Sequence, residues 1–306
     1  MPARRVSSDF PTVLGDGGRF LVERTVGRGA FGVVYAARDR RTGKLIALKL
    51  LHERDEAAKR SLEREFHLLA GLVHPNLVRL HEFLRDEGQC FFTMELVRGT
   101  DFVSFARSDA RVERPGGGGL PMAFGQALHE GSVYSPCSPS GLQRLRKALV
   151  QLSSALQTLH GAGIVHRDLR PENVRVTPEG RVVVLDYGLV ARAAEDVDRG
   201  SAPEGRTSWV GTAAYMAPEQ WDERYASAAS DWYAVGVLLF QALTGALPFA
   251  GSAHEVFVRK RSVGAPRVSS LLAGVPRDLD QLSADLLEID PARRPSGHDL
   301  HSRLHG

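Results

Sequence analysis

Three short motifs in the second half of the chain constrain its fold more than its composition does. In order, they are His166-Arg167-Asp168-Leu169-Arg170-Pro171-Glu172-Asn173, Asp186-Tyr187-Gly188 and Ala217-Pro218-Glu219. Asp168 and Asn173 are five residues apart, and Asp186 follows Asn173 by 13 residues. A short hairpin between Asn173 and Asp186 would bring two carboxylates and an amide to one site. Such oxygen ligands suit Mg²⁺, and a carboxylate beside them can orient a hydroxyl group for phosphoryl transfer.

The composition is that of a soluble globular protein and excludes few functions. The 306 residues are 43% hydrophobic and 25% charged, and the net charge of +3 is too small to indicate a nucleic-acid-binding surface. Cys90 and Cys137 do not have the spacing of metal ligands. No apolar run follows Met1 as in a signal peptide, and the most apolar stretch, 232–243, is too short to span a bilayer. These features predict a soluble, cytoplasmic chain.

The first hundred residues have the pattern of a strand-rich unit, and the rest is mainly helical. The predicted strands are 20–26, 32–38, 45–50, 77–84 and 90–97. Between the third and fourth strands, apolar residues at helical spacing predict one main helix with Leu62, Phe66, Leu69 and Leu72 on its inner face. Beyond about residue 99, the clearest helix has a buried stripe formed by Leu145, Leu149, Leu152, Leu156 and Leu159.

A glycine-rich turn lies between the first two predicted strands. Its sequence is Gly27-Arg28-Gly29-Ala30-Phe31-Gly32, a pattern that also occurs in dinucleotide-binding folds. In those folds the turn opens a helix, whereas here it is followed by β-branched and aromatic residues, Val33-Val34-Tyr35. The turn is therefore predicted to join two strands. A glycine-rich hairpin of this kind can lie over phosphate groups and bind them with backbone N–H groups.

Taken together, these motifs resemble those of eukaryotic-like (Hanks-type) serine/threonine protein kinases, of the kind found in bacteria. The resemblance covers about residues 19–304. It implies a bilobal α+β fold with a small five-stranded β lobe carrying one main helix and a larger, mainly helical lobe. The implied divisions are a loose segment 1–18, an N-lobe 19–94, a hinge 95–98 and a C-lobe 99–306, with a disordered Gly- and Pro-rich insertion at 108–140.

The resemblance implies an ATP site in the N-lobe and hinge. The residues expected to line it are Val26, Gly27, Gly29, Gly32, Val34, Ala47, Lys49, Met94, Glu95 and Val97. Lys49, which lies 17 residues after Gly32, should bind the α- and β-phosphates with the help of a glutamate on the main helix. Glu56, Glu63 and Glu65 compete for that role. The family's distance to the proline equivalent to Pro75 selects Glu65, with Glu63 as the fallback.

In the catalytic loop, the resemblance implies that Asp168 is the base that orients the acceptor hydroxyl. Asn173 and Asp186 are the expected Mg²⁺ ligands, and His166 is expected to be structural. Arg170 stands where Ser/Thr kinases usually have lysine, so the positive charge is kept but its geometry changes. Arg167 is the expected receiver of a regulatory phosphate.

The segment from Asp186 to Glu219 spans 34 residues, a typical length for an activation segment. Thr207 and Ser208 are the predicted autophosphorylation sites, with Ser201 ranked below them. Thr212 is predicted to be a substrate-docking residue of the Ser/Thr-kinase type. Three further residues are implied to be structural: Glu219 should pair with Arg294, and Asp231 should brace the catalytic loop.

The function implied is ATP- and Mg²⁺-dependent phosphorylation of Ser or Thr in protein substrates, with a transient dimer during autophosphorylation. One alternative is a nucleotide-binding pseudokinase or scaffold, supported by Arg175, which occupies a position that kinases fill with an apolar residue under adenine. Another departure, Tyr187 in place of the usual phenylalanine, is mild. The second alternative, a small-molecule kinase, is disfavoured by Thr212, Glu219, Asp231 and Arg294. No nucleic-acid partner or membrane segment is expected.

Overall fold

A computed structural model of the chain describes residues 13–29, 32–52, 56–86, 88–109, 134–187, 213–221 and 226–305. The described residues divide into two compact units, one ending at Val97 and the other beginning at Arg98. The first unit is mainly a β-sheet and the second is mainly helical. Within the described residues, no helix is long and apolar enough to cross a membrane.

The first unit contains a six-stranded sheet in which every pair of neighbours is antiparallel. The order across the sheet is β1-β2-β3-β4-β6-β5. The strands are β1 (Val13–Leu14), β2 (Phe20–Gly29), β3 (Gly32–Asp39), β4 (Leu45–Leu51), β5 (Leu80–Asp86) and β6 (Gln89–Met94). The two strands after the helix are displaced from the predicted 77–84 and 90–97. Apolar side chains continue beyond both regular strands, so hydrophobicity alone does not mark their ends.

The sheet has one strand more than the sequence predicts. Strand β1 pairs Val13 with Leu21 and Leu14 with Phe20. The two strands are joined by a short turn with glycines in the left-handed region, including Gly15 at φ 80°. The expectation of a loose segment over 1–18 therefore does not hold from residue 13 onward, whereas residues 1–12 lie outside the described part of the chain. Two residues are too few to show a strand alternation in sequence.

Helix α1 (Glu56–Ala70) packs on this unit with the face that its apolar spacing predicts, except that the half-buried Leu72 lies beyond the helix end. Leu62, Phe66 and Leu69 are buried. The ring of Phe66 lies 5.6 Å from the rings of both Phe83 and Phe92, between centroids. Each such buried side chain contributes about 1.5–3 kcal/mol of hydrophobic stabilisation. The aromatic cluster thus fixes α1 on strands β5 and β6.

The second unit is built from helices and one small antiparallel sheet, β7-β8-β9. The helices are α2 (Phe102–Ala106), α3 (Pro139–Gly161), α4 (Ala228–Thr244), α5 (Ala253–Ser262), α6 (Arg277–Leu286) and α7 (Gly297–His305). The strands are β7 (Thr100–Asp101), β8 (Val174–Val176) and β9 (Val182–Val184). The five leucines of the α3 stripe are all buried, and α4 is buried on nearly every side, as its continuous apolar sequence requires.

The two ends of the predicted insertion are ordered and tied to the helical core. Arg107 donates hydrogen bonds to the carbonyl oxygens of Ser135 (3.1 Å) and Ala242 (3.0 Å). Ser138 caps α3 by accepting the N–H of Gly141 at 3.0 Å. The insertion predicted at 108–140 is therefore regular helix from Pro139 onward. Residues 110–133 lie outside the described residues.

A buried ion pair joins the Ala-Pro-Glu motif to the C-terminal part of this unit. The Arg294 side chain is fully buried and contacts both carboxylate oxygens of Glu219, at 2.6 and 2.8 Å. Its guanidinium also donates to the carbonyl oxygens of Glu288, Ala229 and Ile289. Burial opposes ionisation of Glu219, but the bonds from Arg294 outweigh it and hold the pKa of that carboxyl below its usual value.

We expect the substitution Arg294→Met to lower the free energy of unfolding by about 3–5 kcal/mol, because it leaves the Glu219 carboxylate half-buried without its cation. Denaturant unfolding at neutral pH measures the change. Since the pKa of Glu219 is lowered in the folded state, this contribution is complete above the ordinary carboxyl pKa and is lost on acidification.

The matched control is Arg293→Met, whose side chain is 73% exposed. It should change stability by no more than about 0.5 kcal/mol. Equal effects of the two substitutions would show that the ion pair does not hold the motif in place.

Candidate active site

The catalytic-loop backbone is held by one carboxylate from helix α4. Asp231, in the first turn of that helix, is 1% exposed. It accepts the backbone N–H of His166 at 2.8 Å and that of Arg167 at 2.9 Å. A third bond, 2.8 Å long, joins it to the ring Nε2 of His160 at the end of α3. Three donors compensate for the burial of this charge, which would otherwise be costly.

Arg167 has a backbone conformation that requires such support. Its φ is 70°, in the left-handed region that side chains other than glycine rarely adopt. A conformation of this kind costs on the order of 1–3 kcal/mol and persists only where surrounding contacts impose it. The bond from the Arg167 N–H to Asp231 is one such contact. The turn directs the chain into Asp168.

Both ring nitrogens of His166 are engaged. The ring is 1% exposed, and Nε2 lies 2.8 Å from the carbonyl oxygen of Leu185. Because a carbonyl only accepts, Nε2 carries the proton, and Nδ1 accepts the N–H of Asp168 at 3.3 Å. A histidine with both nitrogens occupied in this way is suited to a structural role and not to proton transfer with a substrate.

Asp168 and Asn173 are joined directly. The Asn173 amide nitrogen donates to the Asp168 carbonyl oxygen at 2.8 Å and to its carboxylate at 3.0 Å. Asp168 is solvent-exposed as a residue, yet surrounding protein atoms desolvate its carboxyl and raise its pKa, against the opposing charge of Arg170. Since the Asn173 nitrogen points to Asp168, its amide oxygen is the atom suited to bind a cation.

The β8–β9 hairpin brings Asp186 to the same place. Val174 pairs with Val184, and beyond that pair the Leu185 N–H donates to the Asn173 carbonyl oxygen at 2.8 Å. Asp186 therefore follows the residue bonded to Asn173, and its φ of 54° turns the chain at this point. The Asn173 amide and the Asp186 carboxylate thus lie just outside the neighbouring ends of β8 and β9. They supply the hard oxygen ligands that Mg²⁺ prefers, so these residues fit the predicted metal.

Two arginines that depart from the family pattern have defined partners. The Nε of Arg170 donates to the Glu172 carboxylate at 2.8 Å, so its charge is shared between that residue and the neighbouring Asp168. The Arg175 guanidinium donates to the carbonyl oxygen of Gly99. Both arginines are thus held by groups of the second unit.

In the first unit, the sheet register brings several predicted ATP-site residues together. Val34 is opposite Gly27 on one side and Lys49 on the other, and Ala47 is opposite Met94. Directly opposed residues share a face, and so do residues two apart in a strand. Val34, Lys49, Ala47 and Met94 are therefore on the same face of the sheet.

The last predicted glycine of the turn lies where no other residue fits. A Cβ on Gly32 would stand 2.1 Å from the carbonyl oxygen of Leu50. At the other end of this face, the Glu95 N–H donates to the Arg79 carbonyl oxygen at 2.8 Å. This bond uses the Glu95 N–H and not its carbonyl oxygen.

The glutamates that compete for Lys49 are in different environments. Glu56 binds Lys59 at 2.8 Å, and Glu63 binds Arg85 at 2.7 Å. Glu63 and Glu65 are both half-buried, and Glu65 directly precedes the buried Phe66. Lys49 itself is buried, with 5% of its surface exposed. Glu56 and Glu63 each pair with a cation other than Lys49, and the assignment of Glu65 to Lys49 stays a prediction.

Four predicted regulatory residues, Ser201, Thr207, Ser208 and Thr212, lie outside the described part of the chain.

Two residues that the sequence analysis did not predict make structural contacts, one with Asp231 and the other with residues 213–216. His160 follows the α3 leucine stripe and gives no pattern that would indicate its bond to Asp231. Lys260 lies within the basic run Arg259-Lys260-Arg261, which is typical of a solvated helix end, yet it is buried. Its position four residues after the buried Val256 was the available signal.

Comparison with known sequences assigns the chain to a family. Residues 20–304 match the protein kinase domain. The chain therefore belongs to the protein kinase family, and the resemblance in its motifs is confirmed. The sheet-based first unit and the helical second unit are those of the bilobal α+β kinase fold.

The named relatives are mycobacterial. The chain is 29% identical over 280 residues to the serine/threonine-protein kinase PknE of Mycobacterium tuberculosis (strain ATCC 25618 / H37Rv). The aligned region covers 90% of this chain and 44% of PknE. It is 31% identical over 288 residues to the serine/threonine-protein kinase PknA of the same strain, covering 91% of this chain and 58% of PknA. The chain thus spans about half the length of the curated relatives it matches.

The assignment of Glu65 can be tested by a double-mutant cycle with Lys49. We expect Lys49→Met and Glu65→Gln each to lower kcat/KM, and the double variant to lose little more than either single variant. The reason is that each side chain positions phosphates through the other, so a coupling energy on the order of 1–3 kcal/mol is expected.

Glu63→Gln is the matched control, since it removes only a surface ion pair with Arg85, worth about 0–1 kcal/mol. A harmless Glu65→Gln beside a damaging Glu63→Gln would move the partner to Glu63.

Proposed function

We propose that this chain is a protein kinase that transfers the γ-phosphate of ATP, with Mg²⁺, to serine or threonine hydroxyls of proteins. The observation that carries the proposal is the pair of bonds from the Asn173 amide to Asp168, beside the hairpin that leads to Asp186. One base and two metal-binding oxygens are the protein groups that phosphoryl transfer needs close together. The family assignment and the serine/threonine kinases among the relatives support it.

In this proposal Asp168 holds the acceptor hydroxyl and accepts its proton. As the hydroxyl oxygen bonds to the γ-phosphorus, the bond from phosphorus to the bridging oxygen breaks and ADP leaves. Asn173 and Asp186 would hold Mg²⁺, which when bound would neutralise charge on the phosphate oxygens. Arg170 keeps a positive charge beside Asp168. This charge favours the ionised form of Asp168, whereas desolvation raises the pKa of that carboxyl.

The first unit would bind the nucleotide. Lys49, positioned by Glu65, is proposed to bind the α- and β-phosphates under the glycine turn. The backbone of Glu95 and Val97 would bind adenine, with Met94 at the back of the pocket. This assignment is supported by the sheet register, which puts Val34, Lys49, Ala47 and Met94 on one face.

Two other functions remain to be separated by experiment. A pseudokinase would bind nucleotide or partner proteins without phosphoryl transfer, and a small-molecule kinase would phosphorylate no protein. Incubation with labelled ATP, Mg²⁺ and dephosphorylated casein distinguishes all three. Label on casein supports the proposal. Nucleotide binding without transfer would support the pseudokinase, and label on small molecules alone would support the third function.

Asp168→Asn should lower turnover by roughly 10²–10⁴, the usual contribution of a positioned acid–base group, with little change in ATP binding. The substituted amide can still accept the bond from Asn173, so the loop should keep its conformation. Steady-state kinetics and nucleotide binding of the purified variant provide the measurement.

The control is Asp278→Asn, an exposed carboxylate paired with Arg146. It should leave both kinetics and binding unchanged. Wild-type turnover in the Asp168→Asn variant would remove Asp168 from the mechanism.

We further propose regulation by autophosphorylation, in a transient dimer, at Thr207 or Ser208. A phosphate there would bring about −2 charge within reach of Arg167, whose guanidinium can form charge-assisted hydrogen bonds to it. Thr212 is proposed to dock substrate instead. This proposal is supported by the sequence alone, since the three hydroxyl residues lie outside the described part of the chain.

We expect mass spectrometry after incubation with ATP to find phosphate at Thr207 or Ser208 in the wild type and none in Asp168→Asn. The Thr207→Ala/Ser208→Ala variant should be less active because its loop cannot acquire the charge that Arg167 binds. Ser201→Ala, in the same segment, is the matched control. Full activity of the double variant would exclude this switch.

A further inference from the structure

A buried lysine on helix α5 binds the backbone of residues 213–216, near the end of the predicted activation segment. Lys260 is 3% exposed and lies in the last turn of α5. Its Nζ donates to the carbonyl oxygens of Ala213 at 2.9 Å, Ala214 at 2.7 Å and Met216 at 2.7 Å. One side chain thus gathers three carbonyls from four consecutive residues.

The groups around the Lys260 amine affect its protonation, and its protonation sets how many carbonyls it can bind. Its Nζ lies 5.2 Å from the ring centroid of Tyr233, and the guanidinium carbon of Arg294 lies 4.9 Å from the same centroid. Glu219 supplies the nearby negative charge. Burial lowers the pKa of Lys260 to about 7, and the charge of Glu219 opposes that change. An ammonium group has three donors, one for each carbonyl, whereas a neutral amine has only two.

The same segment is fixed at two further points. The Tyr215 hydroxyl donates to the Gln241 side chain at 2.7 Å. The Ala217 N–H donates to the Gln220 side chain at 2.8 Å. The segment, residues 213–216, begins one residue after Thr212, the proposed docking residue, and ends two residues before Pro218. Its backbone shape therefore depends on side chains from α4, α5 and the following turn.

We infer that Lys260 is a positioning residue for the protein substrate, because it holds residues 213–216 in the shape against which the acceptor segment docks. The inference rests on the proposed kinase function. Lys260 itself does not touch the reacting groups and acts through the three backbone carbonyls. Its loss should therefore weaken the binding of the protein acceptor more than the binding of ATP or the rate of transfer.

The first test compares Lys260→Met with Arg259→Met. Methionine keeps an apolar side chain of similar length but donates to none of the carbonyls, whereas Arg259 is exposed one position earlier on the same helix. With dephosphorylated casein as acceptor, we expect Lys260→Met to raise the casein KM at least about tenfold, the effect of losing charge-assisted hydrogen bonds. The ATP KM and the kcat at saturating casein should stay near wild type, and Arg259→Met should change none of them.

The second test uses the wild-type protein, which avoids any loss of folding in the variant. The casein KM should rise as the pH increases from about 6 to about 9, because Lys260 passes from three donors to two near pH 7. Glu219 stays ionised over this range, and burial raises the pKa of Tyr233 far above it. The other charged group on the Tyr233 ring is the guanidinium of Arg294. In Lys260→Met the same profile should be flat between these limits.

A third measurement separates this inference from the proposed function. Hydrogen exchange without ATP should be faster at residues 213–217 in Lys260→Met than in the wild type or Arg259→Met. Unchanged exchange together with an unchanged casein KM would overturn the inference. A fall in kcat with similar increases in both KM values would overturn it as well. If the wild type transfers no phosphate to casein, the proposed function fails, whereas the exchange result still decides whether Lys260 holds the segment.

Discussion

The candidate active site depends on the burial of one carboxylate, that of Asp231. Its two bonds to the backbone of His166 and Arg167 impose the left-handed turn at Arg167, which places Asp168 and Asn173 within bonding distance of each other. The hairpin to Asp186 then starts from Asn173. A buried carboxylate is stable only while its donors stay in place. The charge and the loop conformation therefore stabilise each other, and neither is expected to survive without the other.

Asp231 and Lys260 both bind backbone groups of irregular segments, one as an acceptor and the other as a donor. Asp231, in the first turn of α4, captures N–H groups of the catalytic loop, and Lys260, in the last turn of α5, captures carbonyls of residues 213–216. Each charge lies at the helix end whose dipole favours it, since a helix N-terminus stabilises anions and a C-terminus stabilises cations. The backbone N–H and C=O groups that they bind belong to irregular segments, and side chains from rigid helices supply their partners. Such support suits a site whose loops must keep their geometry.

The sequence predicts this molecule best where local patterns and motifs suffice. Strand alternation, the leucine stripe of α3 and the order of the three motifs lead to the two units and to the kinase family. It predicts poorly what depends on distant contacts. Strand β1 has two residues and exists because β2 accepts it. Lys260 belongs to a basic run that looks solvated, and only the three-dimensional approach of residues 213–216 buries it.

Arg175 shows how a contact changes the meaning of a substitution. In sequence it is a charge where the family has an apolar side chain, and it is the one argument for the pseudokinase or scaffold. In the fold its guanidinium is bound by the Gly99 carbonyl, at a glycine where a Cβ would stand 2.0 Å from the Val176 carbonyl oxygen. The acceptor directly precedes β7, the strand that pairs with β8, so the guanidinium is bound by backbone of its own unit. The structure thus gives this charge a partner that has no connection with nucleotide binding, and the substitution by itself is not an argument against catalysis.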